Sequence, residues 1–285
     1  MSEASRSEPG RDGWQFHAIG RRTSDRIPYM LPRHHTEIGR LDIQHYALRA
    51  ALRGNYAVPL TDPRCILDIG SGTGQWALDM SAEFPRATVV GLDVTPSKGH
   101  ESSNYHFVNG DLLAGLPFAD CCFDFVHQRL MITAIPLSAW PDVVTDMVRV
   151  TRSGGFVELV EIGDRMEPSG PATRQLWTLG NRLAAAHGLD SAGLLPRSLD
   201  AYVRGAGAVD VERHQVALPV GSWGDQVGSL MLADFRALFT RLCVVFEKRL
   251  GVGPGECEEL LFAAIQECET YRTNAICTVV HGRKP

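Results

Sequence analysis

The chain has 285 residues, 44% hydrophobic and 21% charged, with a formal net charge of −5. That length supports one sizeable core, or a main domain with a smaller appendage. The charge balance, with no lysine/arginine block, disfavours nucleic acid as the main partner.

The first thirty residues carry charges of both signs and no secretory h-region, and no apolar run reaches the ~18 residues that span a bilayer. A cytoplasmic protein with no membrane partner is expected, and a homo-oligomer is compatible with the sequence. Cys65, Cys121, Cys122, Cys243, Cys257, Cys268 and Cys277 make no CxxC pair. They are expected as free, mostly buried thiols in a reducing compartment.

In chain order, residues 1–13 read as a disordered tail and residues 14–60 as a helical arm or lid. Within the arm, Ile38, Leu41, Leu48 and Leu52 recur at helical spacing from Glu37 to about Arg53, and Gly54-Asn55 supplies a stop. Strands are expected at Cys65–Ile69, Thr88–Asp93, Tyr105–Asn109, Phe123–His127 and Gly155–Glu161, with helices at Gln75–Glu83 and Pro141–Val150. Strands alternating with helices predict a doubly wound, mostly parallel α/β sheet of Rossmann-like type over residues 61–221.

Further on, helices are expected at Pro171–His187 and Ser198–Gly205, and a strand at Val209–Val216. Two long amphipathic stretches, Asp225–Leu250 and Glu256–Tyr271, predict a helical cap inserted over residues 222–273. Residues 274–285 then return to the sheet as a last strand, Ala275–His281.

The chemistry starts at "CILDIGSGTGQW", residues 65–76. Three glycines between a strand and a helix allow a tight turn and a close approach of bare backbone to a ligand. Asp68, two residues before the first glycine, would repel a pyrophosphate and suits a ligand with an ammonium group. Asp93 ends the second strand, where a carboxylate accepts ribose hydroxyls. Asp111 ends the third, within reach of an adenine amine. Three acids after three successive strands are the pattern of an S-adenosylmethionine site, although Asp93 and Asp111 also read simply as caps.

The chain resembles the class I S-adenosylmethionine-dependent methyltransferases over roughly residues 25–165. "YMLP", "RLDIQH", "ILDIGSGTGQWALDMSAEFPRATVVGLDV", "FDFVHQRL" and "SGGFVELVE" are similar to the subgroup typified by fungal regulators of secondary metabolism and by bacterial natural-product enzymes. The resemblance implies that Asp68, Gly70, Ser71, Gly72 and Gly74 shape the methionine side of the pocket. It assigns the ribose to Asp93 with Val94, the adenine to Asp111 with Leu112, and the neighbourhood of the sulfonium to Gln128. Tyr29 and the helix bearing Gln44 and His45 would close over the cofactor. Where the subgroup often carries an acidic cluster after "LP", this chain has Arg33-His34-His35-Thr36-Glu37, which leaves the substrate class open.

Tyr29 and Glu161 are the candidate catalytic residues, Glu161 because it ends the "FVELVE" strand. His34, His45, Arg129, Trp177 and Asn181 are the candidate substrate contacts. Trp177 and Asn181 lie four residues apart, an aromatic surface with an amide beside it. Plain structural readings stand beside these: a core histidine at 45, a core tryptophan at 177, a solvated carboxylate at 161. His34 and His35 have no further ligand at metal spacing, so no metal is expected.

The arm "FHAIGRRTSDRIPYMLPRHH" is similar to bacterial indole C-methyltransferases, which implies an aromatic ring carbon as the methyl acceptor. Oxygen or nitrogen methylation of a small molecule is the alternative, and a protein-modifying regulator a further one.

Overall fold

The computed structural model describes residues 35–95 and 102–285. Its strands are Cys65–Ile69 (β1), Thr88–Asp93 (β2), Tyr105–Asn109 (β3), Phe123–Arg129 (β4), Thr151–Glu167 (β5), Val209–Pro219 (β6) and Asn274–Arg283 (β7). Its α-helices are His35–Leu52 (α1), Gln75–Glu83 (α2), Trp140–Val150 (α3), Pro171–Ala186 (α4), Leu195–Gly205 (α5), Asp225–Leu250 (α6) and Glu256–Tyr271 (α7). The seven strands form one sheet in the order β3-β2-β1-β4-β5-β7-β6. Pairing is parallel from β3 to β5, and β7 runs antiparallel to both β5 and β6. This is the Rossmann-like, doubly wound arrangement expected. The order reverses between β1 and β4, and in open sheets of this kind ligands bind at the strand C-termini beside that switch point.

Burial on both faces explains why β1 and β2 are nearly continuous apolar runs. Side chains alternate along each strand, so the register sorts them into two faces. Leu67, Ile69, Val126, Val157, Leu159 and Val280 join the core under α3 and α5. Ile66, Val89 and Phe125 face Trp76, Ala77 and Met80 of α2. A third core unites α1, α4, α6 and α7 with Val160, Cys277 and Val279 of the sheet. The helical pair between β6 and β7 is therefore no isolated appendage: α1 and α4 complete its packing.

β5 extends well beyond the expected Gly155–Glu161. Its antiparallel ladder with β7 carries it on, through a register shift between Ile162 and Met166, to the Glu167–Asn274 pair. The expectation of free thiols throughout is corrected at one place. Cys243 and Cys257 form a disulfide, with Cα atoms 5.4 Å apart, that ties α6 to α7. A short antiparallel helical hairpin brings facing positions together without any CxxC signal. Of the remaining thiols, Cys268 and Cys277 are buried, Cys65 and Cys122 half-buried, and Cys121 exposed. The argument from free thiols to a reducing compartment lapses with that disulfide. Among the described residues, no helix is long and apolar enough to cross a membrane.

Candidate functional site

The loop after β1 turns back over the end of β2. Gly70 and Ser71 donate their backbone N–H groups to the Leu92 carbonyl at 2.8 and 3.1 Å. Gly70, Gly72 and Gly74 have φ of 69°, 54° and 82°, in the left-handed region that side chains disfavour. A Cβ on Gly70 would also lie 2.3 Å from the Met131 sulfur, so that flexible side chain would have to shift as well. Gly91 in β2 has a similar role that sequence reading missed. A Cβ there would meet the Tyr105 hydroxyl at 2.7 Å and the Ser71 hydroxyl at 2.9 Å, so the bare strand lets Ser71 sink against it.

Asp93 stands at the tip of β2 beside this loop. Its carboxylate accepts the Gly72 N–H at 3.0 Å and the Thr95 N–H at 2.8 Å. Val94 follows directly, and its carbonyl accepts from Asn109 at 2.9 Å. Asp111 caps a 3-10 turn at Leu112–Ala114 by accepting the Leu113 N–H at 2.9 Å. The capping reading of Asp111 is thus real. It also fixes the carboxylate at the end of β3, next in the sheet to Asp93.

Asp68 does something else. It is 4% exposed, and its Oδ1 accepts the Nδ1–H of His127, its cross-strand neighbour, at 2.9 Å. Rather than facing an open ligand site, it pins the adjacent strand. His127 stacks on Trp76 with ring centres 3.8 Å apart and planes within 3°. Burial lowers the pKa of His127 and Asp68 opposes that shift.

Arg129 shares this sheet face and donates to His45 Nδ1 at 3.0 Å, while His45 Nε2 lies 3.0 Å from Asp79 Oδ2. An arginine only donates, so the His45 proton sits on Nε2 and points to Asp79. Burial and then Arg129 lower the pKa of His45, which favours the neutral ring. His45 and Arg129, expected at the substrate, instead join α1 to α2 and the sheet. Glu158 completes this buried row: it accepts the Ala57 N–H at 2.8 Å, and burial pushes its carboxyl up to about 7.

The opposite face carries Gln128 and Glu161, both fully buried. Glu161 accepts from Gln128 Nε2 at 2.6 Å, Met131 N at 2.7 Å and Ile132 N at 3.2 Å. Burial pushes its pKa up to about 7, opposed by these donors. The reading of Glu161 as a solvated strand-end carboxylate is overturned: it is an internal carboxylate that organises the 130–132 turn and so places Met131 over Gly70. Gln128 Oε1 is buried with no partner among the described residues.

On α4, Trp177 is half-buried and packs edge-on against Phe239 of α6 at 5.4 Å, and Phe239 lies 4.8 Å from Phe235. Trp177 thus contributes to the helical core, and its Nε1 is buried with no partner among the described residues. Asn181, one turn along, is half-buried. Tyr29 and His34 lie outside the described residues. Among the described residues, Glu212, His214 and His281 form one group of metal-ligand types, with donor atoms within 4.8 Å. It sits on β6 and β7 at the far edge of the sheet, away from the glycine loop.

The loop end fits an S-adenosyl group. Gly70 and Gly72 present bare backbone at positive φ, and the buried Ser71 hydroxyl has no partner among the described residues. Carboxylates close the ends of β2 and β3 beside them.

Comparison with known proteins agrees. Residues 66–155, from β1 into β5, match the model of a methyltransferase domain. A methyltransferase of Aspergillus terreus, pytC, is 29% identical over 273 residues, covering 90% of this chain and 83% of that protein. The N-methyltransferase verN of Clonostachys rogersoniana is 25% identical over 272 residues, 90% of this chain and 93% of its own length. The secondary metabolism regulator laeA of Aspergillus flavus is 27% identical over 233 residues, 78% of this chain and 61% of that one. A solved phosphoethanolamine N-methyltransferase 2 of Haemonchus contortus shares the fold, with a TM-score of 0.50 at 15% identity, over 86% of this chain and 57% of that structure. The chain carries a methyltransferase domain on a Rossmann-like sheet and is an S-adenosylmethionine-dependent methyltransferase.

Proposed function

We propose that this methyltransferase acts on a small-molecule secondary metabolite and that the acceptor is an aromatic ring carbon, an indole being the first choice. The observation that carries the small-molecule reading is the reach of the similarity. The alignment with pytC covers 90% of this chain, and a region that long must include most of the cap as well as the cofactor half. The aromatic reading rests on the arm's resemblance to indole C-methyltransferases and on Trp177 of α4 packed with Phe235 and Phe239 of the cap. Because verN is named an N-methyltransferase, nitrogen is the second reading.

When bound, the cofactor supplies an activated methyl group on a sulfonium; the chain supplies position. In our reading Gly70, Ser71, Gly72 and Gly74 receive the methionine side, Asp93 with Val94 the ribose, and Asp111 with Leu112 the adenine. The unpartnered Gln128 Oε1 faces the sulfonium side. Asp68, His45 and Arg129 act behind the site, holding β4, α1 and α2 in register. Glu161, fully buried and accepting three N–H groups, holds Met131 in place and acts in this reading as a positioning residue. Tyr29 and His34, on the arm, remain assigned to closure and to the substrate mouth, and Trp177 with Asn181 to the substrate wall. The arm (14–60), core (61–221), cap (222–273) and last strand (274–285) are then units of function, whose described residues on α1, α4, α6, α7 and the sheet share one packed core.

Incubation of the purified protein with methyl-labelled cofactor and a panel of indoles, phenols and amines tests this reading. Label retained on an indole carbon is the expected result. Label confined to phenol ethers or to amines overturns the carbon assignment, and label found only in added proteins or peptides overturns the small-molecule reading.

A further inference from the structure

α1 carries two polar rows on adjacent faces. Leu41, His45 and Arg49, spaced four apart, turn toward the cofactor half. Leu41 Cδ1 lies 3.5 Å from where a Gly72 Cβ would sit, and His45 and Arg49 both reach Asp79 of α2, at 3.0 and 2.7 Å. Arg40 and Gln44, also four apart, turn toward the cap. Arg40 Nη1 donates to Asp234 Oδ1 at 2.7 Å, and Gln44 Nε2 donates to Asp234 Oδ2 at 3.0 Å.

Asp234 is out of place by composition. It sits in α6 between Met231 and Phe235, and its ion pair with Arg40 leaves the side chains only 7% and 5% exposed. Removing two charges from water costs about as much as their attraction returns, so such a pair is a weak source of stability. Its geometry is specific, however. A carboxylate held by donors one helical turn apart fixes both the rotation and the height of α1 on α6.

We propose that Asp234 is a positioning residue for cofactor binding: through Arg40 and Gln44 it locks α1 against the cap so that Leu41 covers the Gly72 turn. The cap and the cofactor loop, 162 residues apart at Asp234 and Gly72, are thereby joined by one helix. This inference rests on the glycine loop being the cofactor site.

The test uses the full chain and S-adenosylhomocysteine as the probe, by titration calorimetry well below the melting temperature. Asp234→Asn is expected to weaken binding about tenfold, the scale of one hydrogen bond to a charged group, with the loss falling on the KM for the cofactor more than on kcat. In the unmodified protein, adding the probe is expected to slow amide hydrogen exchange across residues 39–52, and Asp234→Asn is expected to abolish that protection. Affinity within twofold of the unmodified protein overturns the proposal, whatever happens to the melting temperature. Should Asp234→Asn fail to fold, Gln44→Leu keeps the ion pair and is expected to weaken binding about threefold. Exchange in α1 of the unmodified protein that ignores the probe also overturns it. An unmodified protein that binds no S-adenosylhomocysteine strikes the cofactor site itself, and the latch falls with it.

Discussion

The cofactor end of the sheet and the helical cap are built on different principles. At the loop after β1, the contacts are backbone to backbone, or short carboxylates to N–H groups: Gly70 and Ser71 on Leu92, Gly72 and Thr95 on Asp93. In the cap, α6 and α7 pack with α1 and α4 to bury Phe235, Phe239, Phe246, Leu261 and Ile265, and specificity comes from a few placed polar groups and a disulfide. The first region tolerates little change because glycine and aspartate are required for geometry. The second tolerates changes of shape while volume is kept, which suits a region that adapts to different acceptors. In the proposed function, the cofactor is assigned to the rigid end and the substrate to the adaptable one.

That contrast predicts effects of graded size. The largest falls on the loop. Gly70→Val must adopt a left-handed φ and displace Met131, and is expected to cost about 2–5 kcal/mol of stability in urea melts. A melt equal to that of the unmodified protein would show that the loop is not under this constraint.

In the cap, Cys243→Ser opens a disulfide whose cysteines are 14 residues apart in sequence. A loss of about 3 kcal/mol is expected, reproduced by adding reductant to the unmodified protein. If melting is the same with and without reductant, the bond does not stabilise the α6–α7 pair.

Glu161 tests the buried hinge between the two regions by pH. Its pKa is pushed up to about 7, so its contribution to stability is fully present below the ordinary glutamate value and is lost as pH rises through 7. Glu161→Gln removes the titration, and Gln128 is free to turn its amide to match. Compared with the variant, the unmodified protein should therefore lose on the order of 2–3 kcal/mol between pH 5 and pH 8. Parallel stability curves across that range would contradict the buried, shifted carboxylate. The smallest effect is expected at Arg49→Ala. That exposed partner of Asp79 should cost under about 1 kcal/mol, less again in high salt, and a loss of several kcal/mol in melts would make the pair part of the core.

The strand–helix alternation, the glycine turn and the strand-tip acids were legible because each is a short-range pattern. Asp93 and Gly72 are 21 residues apart, yet both lie at the ends of predictable elements. The His127 partner of Asp68 was not legible, because position in the motif does not reveal strand parity. Asp68 alternates with Ile66 onto the face shared with Phe125 and His127, so its partner is a strand neighbour. Glu161 was misread for a related reason. β5 continues past it, so it is an interior strand residue and not a strand end. The Arg40–Asp234 pair spans 194 residues, and no local spacing signals it. The same holds for Cys243 and Cys257, whose meeting depends on how tightly α6 turns into α7.

The cofactor assignment is tested most directly by titrating S-adenosylhomocysteine into the unmodified protein and into Asp93→Ala. A one-to-one complex is expected, weakened by roughly 1–3 kcal/mol in the variant, because the carboxylate that braces Gly72 is, in the proposed assignment, the one that accepts from the ribose. Equal affinity in both proteins would remove Asp93 from the site and contradict the placement of the cofactor at the tip of β2.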